Sequence, residues 1–190
     1  DEYGEYLFTY QGCGTNSTIT INMNPVEPVL SGPETVTCLD SFNLEAQVDG
    51  DPGLWTAQGP GNAQFSNQNS QNTSVNVDEY GEYLFTYQGC GTNSTITVNI
   101  NPVEPVLSGP ETVNCLDSFN LEAQVDGNGG SWELISGPGN TQFSNPNSQN
   151  TSVNVDEYGL YEFAYNGCGT NSTITVNMNQ VEPVLSGPET

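Results

Sequence analysis

The sequence predicts an all-β protein, a tandem of seven-stranded sandwiches, on three observations. Apolar residues alternate with period two over short runs, as a strand with one buried face requires. Gly, Pro, Asn or Asp closes each run, supplying turn chemistry where the alternation stops. The whole pattern also returns. DEYGEYLFTYQGCGTNSTIT fills 1–20, recurs unchanged at 78–97 and comes back as DEYGLYEFAYNGCGTNSTIT from Asp156, a spacing of 77 and then 78 residues. No helical stripe competes with it.

The elements of one copy follow in order. VEPVLSGPET stands at 26–35, 103–112 and 181–190, and its prolines make Val26–Val36 a broken first strand. In the second, 42–48, Phe42, Leu44, Ala46 and Val48 face one way while Asn43, Glu45 and Gln47 face the other. Strands at 53–57 and 63–66 come next, the former carrying Trp55. Thr73, Val75 and Val77 mark 72–77, Tyr83, Phe85 and Tyr87 mark 82–88, and Ile96, Val98 and Ile100 mark 94–100. Seven short strands with regular turns are the count of an immunoglobulin-like sandwich. Trp55 and its counterpart Trp132 are the bulky core residues expected between two sheets.

The repeat divides the chain. Residues 1–24 read as the last strands of a preceding repeat, 25–101 and 102–179 as complete repeats, and 180–190 as the first strand of a following one. A chain that opens inside a copy and lacks an initiating Met reads as a stretch of a longer array. Proline on both sides of Glu27 fixes φ and stiffens the connection, so adjacent copies are expected to hold a defined angle, as in a rod or gentle helix.

Composition excludes several function classes. There is no Lys, Arg or His against 23 Asp and Glu, a formal charge of −23. Such a surface repels nucleic acid and anionic membranes, because phosphate binding needs cations. With 34% apolar residues, nine Tyr, seven Phe and two Trp, the chain is nonetheless too hydrophobic to be a solvated tail. No apolar run approaches the 18 or so residues of a spanning helix. Catalysis is not expected: every cationic or imidazole partner for a nucleophile or acid is missing. Asp78 and Glu79 could be imagined as a carboxylate pair, but their recurrence at Asp1 and Glu2 in a turn reads as a solvated loop.

Three sets of polar residues remain. Cysteines at 13, 38, 90, 115 and 168 hold fixed repeat positions without CxxC spacing or histidine, which favours disulfides in an oxidising, extracellular compartment over metal. Two pairings compete. Cys38–Cys90 and Cys115–Cys168 would each close a loop within one repeat, worth roughly 4 kcal/mol by chain entropy. Strand order opposes this, placing the two cysteines at opposite ends of strands roughly 20 Å long, so Cys38–Cys168 between repeats is the alternative. Cys13 would find its partner outside these residues. No cofactor is expected except calcium, the cation an acidic chain would recruit: Asp49, Asp51, Asp126 and Asn128 in the Asp-Gly loops, with Glu27 and Glu104 of the linkers, are the candidate oxygen ligands. Asn16, Asn93 and Asn171 in Asn-Ser-Thr, with Asn72 and Asn150 in Asn-Thr-Ser, match glycosylation sequons but read mainly as exposed strand positions.

Trp132 followed by ELISGPGNTQFSNPNSQNTSVNV and DEYGLYEFAYNGC resembles the PKD-like and immunoglobulin-like repeats of giant bacterial cell-surface proteins, in particular the adhesins and filaments that Bacteroidetes export by type IX secretion. The Trp55 copy departs from it at TAQGPG, where Gln replaces Ser before the Pro-Gly turn. The resemblance rests on turns and core positions. It implies a fold and a setting: an extracellular filament or adhesin stalk whose partners are neighbouring repeats and lateral copies. The competing expectation is a polyvalent module that holds carbohydrate or a surface polymer through an aromatic such as Tyr80 or Tyr158.

Overall fold

The computed structural model describes residues 3–50, 53–127 and 129–184, all in strands, turns and loops. By contacts the chain divides into two compact units, one of 1–36 with 41–100, the other of 37–40 with 101–190.

The first unit opens with a hairpin, β1 (Gly4–Gly12) and β2 (Thr15–Met23), a two-stranded sheet. The sandwich follows: β3 (Val29–Ser31), β4 (Thr35–Thr37), β5 (Phe42–Gln47), β6 (Leu54–Gln58), β7 (Ala63–Phe65), β8 (Asn72–Val77), β9 (Gly81–Gly89) and β10 (Thr92–Asn101). Two four-stranded sheets form, ordered β3-β5-β8-β7 and β4-β10-β9-β6. The second unit repeats this with β11 (Val106–Ser108), β12 (Thr112–Asn114), β13 (Phe119–Gln124), β14 (Gly130–Ser136), β15 (Thr141–Phe143), β16 (Asn150–Val155), β17 (Gly159–Gly167) and β18 (Thr170–Asn179). Its sheets run β11-β13-β16-β15 and β12-β18-β17-β14.

The broken first strand resolves into two pieces on different sheets. In the second unit β11 pairs antiparallel with β13, and β12 pairs parallel with β18. The break falls at Gly109-Pro110, matched by Gly32-Pro33. Pro cannot donate to a ladder, and a Cβ on Gly32 would stand 2.6 Å from the Leu44 side chain, so this is where the chain must cross close over the core.

Alternation places the core as expected. Phe42, Leu44, Val75, Tyr83, Phe85 and Tyr87 are buried in the first sandwich, and Phe119, Leu121, Val153, Tyr161, Phe163 and Tyr165 in the second. Trp55 and Trp132 are buried between the sheets, with ring centroids 5.0 Å from Tyr87 and 5.2 Å from Tyr165. Burying each such ring is worth about 1.5–3 kcal/mol, and the tilted pairs add more. The change of period from 77 to 78 has a local cause: opposite β17, Leu134 faces Phe163 and Ser136 faces Glu162, so the additional residue, Ile135, forms a bulge. The sandwich absorbs the insertion without moving its core.

Candidate functional site: a cystine between two tight turns

All five cysteines have positive φ, and besides glycines only Leu39 and Leu116 join them among the described residues. An L-residue in the left-handed region costs roughly 1–2 kcal/mol, so a repeated choice of Cys there marks a position selected for its side chain. Two turns are responsible. Cys13-Gly14, Cys90-Gly91 and Cys168-Gly169 are the two-residue connections of β1–β2, β9–β10 and β17–β18, with φ of 39°/85°, 48°/78° and 52°/77°. Positive φ at both central residues is the type I′ signature that matches hairpin twist. Cys38-Leu39 (59°/55°) and Cys115-Leu116 (61°/56°) form the second kind, closed by N–H donation from Asp40 to the Thr37 carbonyl at 3.1 Å and from Asp117 to Asn114 at 3.3 Å.

One turn of each kind meets. Cys38 and Cys168, 130 residues apart in sequence and both in the second unit, are joined by a disulfide with a Cα–Cα distance of 4.4 Å. The surroundings hold both halves. Cys38 N–H donates to the Asn101 carbonyl at 3.2 Å, and Val103 N–H donates to the Cys168 carbonyl, also at 3.2 Å. Thr170 and Ser172 hydroxyls donate to the carbonyls of Val103 and Pro105 at 2.8 and 2.6 Å, which pins the linker to β18. Gly127, at φ 88°, lies so close that an added Cβ would stand 2.8 Å from that of Cys38.

The pairings within repeats do not form: Cys90 and Cys115 carry free thiols, as does Cys13. The second unit gives the reason. Cys115 N–H binds the carbonyl of Asn179 at the end of β18 at 3.1 Å, whereas Cys168 precedes the start of that strand. Ten extended residues span about 34 Å, far beyond the 7 Å limit for a disulfide. The Cys90 thiol instead donates to the Asp49 carbonyl at 2.8 Å.

The remaining expectations fall as follows. Asp49, Asp126, Glu27 and Glu104 are exposed, and among the described residues no group of three or more acidic or cysteine side chains is placed to hold a metal. Asp51 and Asn128 lie outside the described residues. Asn16, Asn72, Asn93, Asn150 and Asn171 are exposed on strands. Tyr158 is 41% exposed and Tyr80 half-buried. The corner position is occupied by Tyr83, whose hydroxyl donates to the Glu79 carbonyl at 3.1 Å, and by Tyr161, bonded likewise to Glu157 at 3.0 Å.

Asp78 and Asp156 brace turns. Asp156 accepts the Asn140 backbone N–H at 2.6 Å and its side-chain amide at 2.7 Å, and Asp78 accepts the same pair from Asn62 at 2.6 and 2.8 Å. These bonds, the side-chain amide first, hold both carboxyls below the usual range. Elsewhere, each sandwich carries a polar groove of about 460 Å³, lined by Ser31, Gly32, Asn43, Glu45 and Ser74 in the first and by Ser108, Gly109, Asn120, Glu122 and Ser152 in the second.

The fold defines a class: tandem immunoglobulin-like β-sandwiches. No family model and no curated protein matches the sequence. Among solved structures the chain is similar to the I9–I11 tandem of titin, at 12% identity and a TM-score of 0.54, covering 94% of this chain and 74% of that one. It also aligns with domains 4 and 5 of the S-layer protein SbsC, at 16% identity and a TM-score of 0.42 over 80% and 99%. Immunoglobulin domains 1–5 of Sidekick-1 align at 10% identity and a TM-score of 0.44 over 94% and 45%. At 12% identity the likeness to the titin tandem is one of fold.

Proposed function

We propose that this chain is a stretch of an extracellular filament or adhesin stalk, a non-enzymatic spacer made of repeated sandwiches. The observation that carries the reading is the cystine: Cys38 belongs by sequence to one copy and Cys168 to the next, so the bond ties consecutive copies. A ligand-binding array diversifies its loops, whereas these copies keep turns, corner hydrogen bonds and core register alike. Disulfide use fits an oxidising compartment. The resemblance to Bacteroidetes surface repeats makes a type IX-exported cell-surface protein the setting, with 1–24 completing a preceding repeat, 180–190 opening a following one and equal spacing allowing lateral association. Electron microscopy of the native material tests this. Unbranched fibres with a period of one or two copies support it, and compact particles refute it.

A second reading has one observation in its favour, the polar groove recurring on each sandwich. Repeated grooves suit a polyvalent carbohydrate binder, since weak sites linked in one chain gain avidity. Glycan-array binding that disappears on substituting Asn43 and Asn120 would support it over the spacer.

A further inference from the structure

We infer that the Cys38–Cys168 bond is a covalent shortcut that carries tension past the loop from Leu39 to Gly167, and with it most strands of both sandwiches, so that unfolding within the loop cannot lengthen the chain. The inference rests on the spacer reading for its purpose, but its geometry is purely covalent. Force entering at the first residue reaches Cys38, crosses through sulfur to Cys168 and leaves along β18. Everything from Leu39 to Gly167 hangs in a closed loop, and that loop contains β5 to β17. Only 37 residues precede Cys38 and 22 follow Cys168 in the load path.

The effect on reach is large. A fully stretched chain spans about 3.5 Å per residue, so the linked path measures about 200 Å against about 650 Å for the whole chain without the bond. Unfolding either sandwich therefore adds almost no length while the cystine persists. The repeat carries the device onward. Cys13 and Cys38, like Cys90 and Cys115, are 25 residues apart, whereas Cys13 and Cys168 are separated by 155. Cys115 has the turn, the positive φ and the N–H bond to the final strand that Cys38 has. Cys13 and Cys90 have the hairpin-tip geometry of Cys168. If every copy makes the same link, the covalent path walks 25 residues in every two copies, about 90 Å where an unlinked chain would stretch to about 540 Å. Such a stalk transmits a pull instead of absorbing it by unfolding.

Single-molecule stretching of the 190-residue chain, held by enzymatically ligated tags at its two ends so that no cysteine is consumed, tests the inference. The oxidised chain should stop lengthening at about 200 Å, and adding a reductant under force should release about 450 Å in one step. The Cys38→Ser/Cys168→Ser variant should reach full length without reductant, and because contour length does not depend on folding, a poorly folded variant still reports. An oxidised chain that extends to about 650 Å overturns the shortcut. Compact particles in electron micrographs would instead sink the spacer reading and leave the measured contour untouched.

Discussion

Breaking the cystine should cost the second sandwich more than any surface change. By chain entropy, a cross-link over 130 residues stabilises by about 5 kcal/mol. If the second sandwich unfolds while the first stays folded, the free loop shrinks to roughly half, yet the logarithm lowers the figure only to about 4.4 kcal/mol. The two cases bracket the effect narrowly. For a unit of this size, 4 to 5 kcal/mol corresponds to a fall in Tm of roughly 20 °C or more. The assay is thermal and urea unfolding of the chain with and without reductant and of the Cys38→Ser variant, with thiols titrated in parallel. Three free thiols are expected before reduction, from Cys13, Cys90 and Cys115, and five after it. A full count of five with a Tm unchanged within a degree or two would refute the reasoning, because the bond would then be gone without constraining the unfolded chain.

Three further outcomes follow from the site and the core. Cys115→Gly removes a Cβ from a left-handed position with no bond to lose, so it should stabilise by about 0.5–1 kcal/mol, where Cys38→Gly destabilises; paired urea titrations separate the two. Tyr161→Phe loses the corner bond to the Glu157 carbonyl and should cost about 1–2 kcal/mol in the same assay, with the first sandwich unaffected. The depressed carboxyl of Asp156 contributes stability that is fully present above the unfolded-state value near 3.9 and is lost as pH falls through its lower folded value. Relief of like-charge repulsion works in the opposite direction over the same range, so the readout is the difference between native chain and Asp156→Asn. That gap in Tm should be constant at neutral pH and close below about pH 4.

How much was legible in the sequence depends on the range over which each feature is decided. Alternation named the core strands, because a period of two sends Phe42, Leu44 and Ala46 to one face wherever the sheet lies. The split of the first strand between two sheets was visible only as a proline-marked break: the first half pairs locally, Val29 with Gln47 and Val106 with Gln124, whereas the second half joins a strand far along the chain, Thr112 with Asn177. That Tyr83 faces inward was legible from its alternation with Phe85 and Tyr87, but the return of its hydroxyl to the Glu79 carbonyl was not. The surplus residue lies in the sequence between Trp132 and Gly137, since Trp55 to Trp132 is 77 residues and Gly59 to Gly137 is 78, but that Ile135 leaves the ladder there was decided by pairing with β17.

Residues 1–20 and 78–97 make the division sharp, because they are identical. In both copies the chain forms the same hairpin in the same register, Phe8 opposite Ile19 and Phe85 opposite Ile96, around the same Cys-Gly turn. Alternation and turn chemistry are local, so the sequence alone determined that much. Yet Phe8 is 53% exposed while Phe85 is fully buried, with the rings of Phe42 from β5 and Phe65 from β7 at 5.7 and 6.1 Å from its own. Cysteine pairing divides in the same way: local turns and strand length already set Cys115 and Cys168 at opposite ends of β18, but that the Cys38 turn meets the Cys168 tip was decided by the folded second unit, where Cys38 N–H bonds to Asn101 and Val103 N–H to Cys168.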